Sequence, residues 1–158
     1  MLVRISKWVL IAAVLIQLIP YGRNHTNPPA AKEPAWNSSA TRALIRRACF
    51  DCHSNQTSWP WYSRIAPVSW LVLRDVDVGR ARLNFSEWDQ PQRGTRPQSI
   101  ERRIQRGSMP PWYYLPMHSD ARLSETDKQA LLSGLQATIQ KDPPPMQAEQ
   151  SVTPGREG

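Results

Sequence analysis

The stretch Cys49-Phe50-Asp51-Cys52-His53 contains both cysteines of this chain, and the interpretation of the other residues starts from it. Two cysteines separated by two residues and followed directly by a histidine are typical of the attachment site of a c-type haem. The two sulfurs bind the vinyl-bearing edge of one porphyrin as thioethers, and the imidazole lies under the iron as its proximal ligand. Cys49 and Cys52 are therefore predicted to bind one covalent haem c, with His53 as a ligand of the iron.

Three other kinds of site also use paired cysteines. A structural zinc site needs four ligands, but a second pair of the C-x-x-C or H-x-x-x-H type is missing, and His25 and His118 are far apart in sequence. A thioredoxin-like redox pair needs a strand–helix–strand context, which the residues around position 49 do not show. A disulfide between the two cysteines would close a very small loop. Haem attachment is favoured, and these alternatives stay open at this point.

The first 21 residues have the pattern of a signal anchor or a signal peptide. Arg4 and Lys7 precede an uncharged apolar stretch from Trp8 to Tyr21, as in the charged and apolar regions of a secretory signal. No small-residue cleavage site follows, which favours an uncleaved anchor. Because the positive end stays in the cytoplasm, the remainder is expected on the periplasmic side of the bacterial inner membrane, or soluble in the periplasm if the segment is cleaved.

Proline clusters divide the rest of the chain. The 158 residues include fifteen prolines, and those within residues 22–36 predict an extended, Pro-rich tether. Another cluster follows Asp142, and residues 142–158 are predicted to be a disordered tail. Residues 37–141 are then left as one domain, which is predicted to bind the haem.

Helical patterns account for this domain, and no convincing strand is visible. Four or five helices are expected, and their end signals are Ser38 or Ser39, Pro67, Pro97, Gly107 and the pair Ser124 and Asp127. Two apolar stripes are interpreted as ordinary core: Val68, Leu71, Val72, Val76 and Leu83, and then Leu131, Leu132, Leu135 and Ile139. The predicted fold is all-α, a small helical domain wrapped around one haem, behind an N-terminal membrane anchor.

Met109 is the favoured distal ligand of the iron. A thioether in this position favours ferrous iron and blocks access, which suits electron transfer. Met109 follows Gly107, which ends a helix, and precedes two prolines that stiffen the chain. Met117 and His118, which follow Pro116, are the competing ligands.

Aromatic and arginine side chains close to the motif are candidates for the walls of the haem site. A porphyrin is a large flat apolar body, so a small domain needs broad aromatic surfaces to cover it. A guanidinium group matches a carboxylate with two hydrogen bonds, which suits a haem propionate. The predicted cofactor-binding residues are Trp59, Trp61, Tyr62 and Trp70, with Arg64 or Arg80 as the propionate partner.

Taken together, these segments resemble the small haem-binding domain family of exported bacterial mono-haem c-type cytochromes. The resemblance covers residues 40–140, and the matching stretches are 49–57, 59–63, 65–71, 79–80, 83–88 and 109–111. It implies a helical, cytochrome-c-like domain in which Cys49 and Cys52 attach the haem, His53 is the proximal ligand and Met109 the distal ligand. It implies haem binding and electron carriage, and it says little about a substrate or a partner.

Three functions compete on these observations, and an electron-transfer cytochrome is favoured over the other two. A peroxidase-like haem enzyme needs an open iron position and polar distal groups, and a redox or gas sensor needs a labile distal ligand. The net charge of +7, mostly from arginine, predicts an acidic redox partner or contact with anionic lipid. Nucleic acid is not expected as a partner, because the arginines are dispersed.

Overall fold

Helices make up the regular structure of the chain. The computed structural model describes residues 2–93 and 96–145. Its five α-helices are α1 (Leu2–Leu15), α2 (Ser39–His53), α3 (Val68–Arg82), α4 (Pro97–Gln105) and α5 (Glu125–Lys141), and its short 3-10 turns are Ile16–Leu18, Trp61–Arg64 and Ser119–Ala121. No strand occurs in the residues described. The prediction of an all-helical fold is confirmed.

The helices begin and end close to the residues that the sequence indicates. The Ser38 hydroxyl accepts a hydrogen bond from Thr41 N at 3.1 Å and caps α2. Ser124 and Asp127 form a capping box at the start of α5, so the N–H groups of these two residues are satisfied. Gly107 follows α4 with a φ of 65°, a left-handed conformation that glycine adopts without strain.

The apolar core lies on the side of α2 that carries Phe50. Phe50 and Phe85 have ring centroids 5.8 Å apart, and Phe85 and Trp88 are also 5.8 Å apart. The core cluster consists of Ile45, Phe50, Leu83, Phe85, Trp88, Ile104, Leu131 and Leu135. Since Phe50 belongs to the cysteine motif, packing of this core fixes the end of α2 and the direction of its cysteines.

Residues 22–36, the predicted tether, are extended and pack against the domain. Ala31 N and Lys32 N both donate to Ser86 O, at 2.9 and 3.0 Å, and Trp88 N donates to Lys32 O at 2.9 Å. Asn27 Nδ2 donates to Thr57 O at 2.9 Å. The prolines keep the segment extended, and hydrogen bonds to its remaining backbone groups hold it in place.

The first residues of the predicted tail are packed as well. Trp88 Nε1 donates to Asp142 O at 2.8 Å, Ala35 N donates to Asp142 Oδ2 at 2.8 Å, and Gln92 N donates to Pro145 O at 2.9 Å. Residues 142–145, the first part of the predicted tail, therefore make contacts with the domain. Residues 146–158 lie outside the described part of the chain.

The N-terminal helix leaves most of its apolar side chains exposed, and it is attached to the domain at its end. The exposed side chains include Trp8, Val9, Leu10, Ile11, Val14 and Leu15. The Gln17 side-chain amide makes two hydrogen bonds with the backbone of Ala66, at 2.9 and 3.0 Å. Among the helices described, none combines the length and the apolar character that crossing a bilayer requires.

A partly exposed ion pair at the packed N-terminal segment predicts a pH-dependent stability. Arg42 donates to both carboxylate oxygens of Glu33, at 2.7 and 2.8 Å, and lowers the pKa of Glu33 from 4.5 to about 2. A depressed carboxyl pKa stabilises the fold above the unfolded-state pKa, and this contribution is lost as the pH falls through the folded-state pKa. Glu33→Gln is therefore expected to lower the free energy of unfolding at pH 7.

Denaturant unfolding at a series of pH values measures this difference. The difference in free energy of unfolding between the wild type and Glu33→Gln is expected to be constant above about pH 5 and to shrink between about pH 4.5 and 2. Glu125→Gln is the matched control, because the Glu125 side chain is 83% exposed and surface pairs contribute little. A deficit that is the same at pH 7 and pH 2 would contradict the assignment.

Candidate functional site

A large, mostly apolar cavity lies between α2, α3, α5 and the segment that follows α4. Its volume is about 720 Å³, and ligand cavities in proteins measure about 300–1,000 Å³. The wall includes apolar residues of α3 and α5 and the run from Met109 to Pro111. The cavity therefore has the size and the lining for a flat apolar cofactor.

The last turn of α2 brings the motif to the wall of this cavity. Cys49, Cys52 and His53 all line it, because residues at i, i+3 and i+4 share one face of a helix. Both cysteines are free thiols, and burial raises the pKa of each to about 12. The two sulfurs are thus protonated near neutral pH and are not joined as a disulfide.

The His53 ring is oriented by two backbone carbonyls at the end of α3. Its Nδ1 lies 3.1 Å from Gly79 O and 3.0 Å from Leu83 O. Since carbonyls only accept hydrogen bonds, Nδ1 carries the proton and Nε2 keeps its lone pair. Burial lowers the pKa of His53, which keeps the ring neutral. A neutral imidazole whose second nitrogen is held by a carbonyl is the arrangement of a metal-ligating histidine.

Gly79 allows the motif to pack this closely on α3. A Cβ at this position would overlap the carbonyl of Cys52 and would also lie 3.1 Å from the Cys52 Cβ. Arg80, the next residue, donates from Nε to Ser54 O at 2.8 Å. The chain on both sides of His53 is therefore held against α3.

Among the predicted distal ligands, the structure brings Met109 and His118 to the cavity and leaves Met117 outside it. Met109 is half-buried on the wall, and its N–H donates to Arg103 O at 3.3 Å. His118 lines the cavity, but its Nδ1 lies 3.1 Å from Tyr114 O and its Nε2 lies 4.0 Å from Asp51 Oδ2. Met117 is 60% exposed. Met109 is thus the methionine candidate that lies on the cavity wall, and His118 is the candidate whose ring already has polar partners.

A polar cluster lies on the wall beside the motif. Tyr114 donates to Asp51 Oδ2 at 2.6 Å and stacks on His118 with ring centroids 3.8 Å apart. The Tyr62 hydroxyl lies 3.5 Å from His118 Nδ1. Burial and the hydrogen bond to Asp51 raise the pKa of Tyr114, so its hydroxyl stays protonated and continues to donate.

Comparison with known proteins identifies the family of the chain. The family model of the haem-binding domain matches residues 11–137. The chain belongs to the haem-binding domain family. No curated protein and no solved structure matches it. The predicted membership of a haem-binding family is confirmed, and the residues matched include the motif, the cavity wall and all of the packed N-terminal segment, residues 22–36.

Many of the apolar residues that the sequence predicts to be core line the cavity of the haem-binding domain. The α3 stripe lines it completely, and Leu131 and Leu135 of α5 line it as well. The residues of that stripe are Val68, Leu71, Val72, Val76 and Leu83. An apolar stripe has the same periodicity whether it faces a neighbouring helix or a cofactor, so the sequence pattern does not distinguish the two.

Of the four aromatic residues predicted to bind the cofactor, only Tyr62 lies on the cavity wall. Trp59 stacks on His25 of the packed N-terminal segment, with ring centroids 4.4 Å apart. Trp61 is 70% exposed, and Trp70 is half-buried on α3 away from the wall. The cluster of aromatic residues between positions 59 and 70 therefore does not mark the cavity wall, because only Tyr62 among the four lies on it.

The two arginines predicted to bind a propionate do not line the cavity either. Arg64 is exposed at the end of a 3-10 turn. Arg80 points its remaining donors at the packed N-terminal segment, with Nη1 3.0 Å from Thr26 O and Nη2 2.9 Å from Asn27 Oδ1. Its guanidinium group is used to hold the chain around the motif.

Sequence reasoning missed several charged residues of the wall: Asp51, Asp75, Arg82, Arg93 and Arg103. One signal was present in the sequence for two of them. Asp75 and Arg82 are seven residues apart, and they extend the same face of α3 as the apolar stripe. No local pattern marks Arg93 or Arg103, which come from other segments of the chain.

Gly79→Ala is expected to impair haem incorporation, because the added methyl group would displace the motif from α3 and shift the His53 ring. A displacement of backbone costs about 1–3 kcal/mol in a packed interior. Haem content per chain, measured from a pyridine haemochrome spectrum, is expected to fall severalfold, together with the free energy of unfolding. The matched control is Asp77→Ala, an exposed α3 position outside the cavity wall. Equal haem content in the two variants would contradict the role of Gly79.

Proposed function

We propose that this haem-binding domain is a mono-haem c-type cytochrome that transfers electrons outside the cytoplasm. In the proposal Cys49 and Cys52 bind the haem as thioethers, His53 is the proximal ligand and Met109 is the distal ligand. Bound there, the haem supplies one-electron exchange between ferric and ferrous iron. Family membership supports haem binding as such; covalent attachment, the ligand pair and the redox role are proposed from the residues.

The orientation of His53 is the observation on which the proposal mainly rests. Its Nδ1 is bound to Gly79 O and Leu83 O, so Nε2 is the nitrogen left for a metal. The same cavity wall carries both cysteines of the motif and the Met109 side chain. A thiol pair, a preoriented imidazole and a thioether around one apolar cavity match the ligands of a c-type haem better than those of zinc.

The proposed location follows from the N-terminal residues. Trp8 to Tyr21 contains no charged residue, and the large side chains of this stretch are mostly exposed. Exposed apolar residues on every side of a helix favour a lipid environment. In the proposal this segment anchors the domain on the periplasmic face of the inner membrane, and the basic surface of the chain binds an acidic redox partner.

A pyridine haemochrome spectrum tests covalent attachment directly. Protein produced with a haem-ligation system is expected to keep its haem through acid–acetone extraction, whereas Cys49→Ser/Cys52→Ser is expected to lose it. Thioether bonds are not broken by this extraction, but iron–ligand bonds are. Wild-type protein that releases all its haem, with both thiols still titratable, would overturn the proposal.

Met109→Ala tests the distal ligand. The variant is expected to keep its covalent haem, to lose the weak charge-transfer band that methionine ligation produces at the red end of the ferric spectrum, and to have a lower reduction potential. Met117→Ala is the matched control, since Met117 is 60% exposed and outside the cavity. Loss of the band in Met117→Ala and its retention in Met109→Ala would show that the ligand is wrongly assigned.

A peroxidase-like haem enzyme is the second candidate, and the polar cluster on the wall is the observation in its favour. Asp51, Tyr62, Tyr114 and His118 line the same cavity, and such groups are able to hold or move a proton near a reacting ligand. Rapid binding of carbon monoxide by the ferrous protein, with peroxide turnover that His118→Ala abolishes, would favour the enzyme. Slow or absent carbon monoxide binding would favour the electron carrier.

A further inference from the structure

Charged side chains of opposite sign lie on the cavity wall on either side of the motif. On α3, Asp75 and Arg82 share one face and are two turns apart, about 10 Å along the helix axis. Gly79 lies between them, and it is the residue that contacts Cys52. The wall therefore has an acidic end beside the middle of α3, at Asp75, and a basic end beside the last residue of α3, Arg82.

The acidic end is close to Cys52. Asp75 accepts a hydrogen bond from the Tyr113 hydroxyl at 2.8 Å, and Asp51 accepts one from the Tyr114 hydroxyl at 2.6 Å. Asp51 directly precedes Cys52 in the motif, and Asp51, Cys52 and Asp75 all line the cavity. A ligand carboxylate placed at this end would meet two carboxylates of the protein and would be repelled.

The basic end is close to His53 and is built from separate segments. Arg82 is the last residue of α3 and Arg103 belongs to α4. Arg82 directly precedes Leu83, whose carbonyl oxygen lies 3.0 Å from His53 Nδ1. Both side chains are exposed at the mouth of the cavity. Within the described residues, neither of them forms an ion pair with an acidic side chain.

We propose that Arg82 and Arg103 form the subsite for the two propionate carboxylates of the haem, an inference that rests on the proposed function. The thioether edge of a haem is at its cysteines and its centre is over the histidine, so the propionate edge lies beyond the histidine. Cys52 packs against Gly79, and the His53 ring also contacts the carbonyl of Leu83, so the direction from Cys52 to His53 runs along α3 away from Asp75 and toward Arg82. Guanidinium groups pair with carboxylates through two charge-assisted hydrogen bonds.

Single and double substitutions of Arg82→Gln and Arg103→Gln test this subsite in the holoprotein. Covalent haem content from the pyridine haemochrome spectrum and secondary structure from circular dichroism are expected to match the wild type, since both arginines are exposed. The propionate deformation band in the resonance Raman spectrum is expected to shift. The ferrous-to-ferric ratio at a fixed ambient potential is expected to fall about tenfold in the double variant, equivalent to about 59 mV for one electron.

Arg64→Gln is the matched control, because it removes the same charge from an exposed position outside the cavity wall. It is expected to leave the Raman band unchanged and the reduction potential close to the wild-type value. An unchanged Raman band in Arg82→Gln/Arg103→Gln, or the same shift in Arg64→Gln, would overturn the subsite while leaving covalent haem attachment intact. Wild-type protein without covalent haem would overturn both the subsite and the proposed function.

Discussion

The contact between the last turn of α2 and the second half of α3 is the constraint on which the site depends. It needs a glycine at position 79, since any side chain there would collide with the carbonyl of Cys52. The same contact gives His53 its two carbonyl partners. His53 O in turn accepts a hydrogen bond from Phe85 N at 2.8 Å. One packing event therefore sets the positions of the cysteines, the tautomer of the imidazole and the course of the chain after α3.

The apolar core and the cavity wall share residues, and α2 contributes to both. The residues that belong to both are Ile45, Leu83, Phe85, Ile104, Leu131 and Leu135. Phe50 faces the aromatic core with Phe85 and Trp88, whereas Cys49 and Cys52 face the cavity. A domain of this size buries a limited apolar surface by itself. A ligand that binds the folded state and not the unfolded state adds stability. A haem in this cavity would therefore complete the packing of the domain.

Arginine has two different roles in this small protein. Arg80 is next to the motif in the fold, but its donors bind Ser54 O, Thr26 O and Asn27 Oδ1 and so join the N-terminal segment to the chain after His53. Arg82 and Arg103 lie on the cavity wall. Arg80 and Arg82 are two positions apart on α3, so their side chains leave the helix about 200° apart around its axis. This rotation explains why neighbouring guanidinium groups serve separate purposes.

Local sequence patterns determined the helical class, the capping residues Ser38 and Ser124, the glycine that follows α4, and the motif that marks the cavity. Each of these depends on residues only a few positions apart, so it is visible in the sequence. Tertiary structure alone decided that the α3 stripe faces a cavity, that residues 22–36 pack on the domain, and that Arg82 and Arg103, but not Arg64 and Arg80, reach the cavity wall. Those outcomes depend on distances between segments far apart in the chain, and helical periodicity carries no information about which neighbour a face will meet.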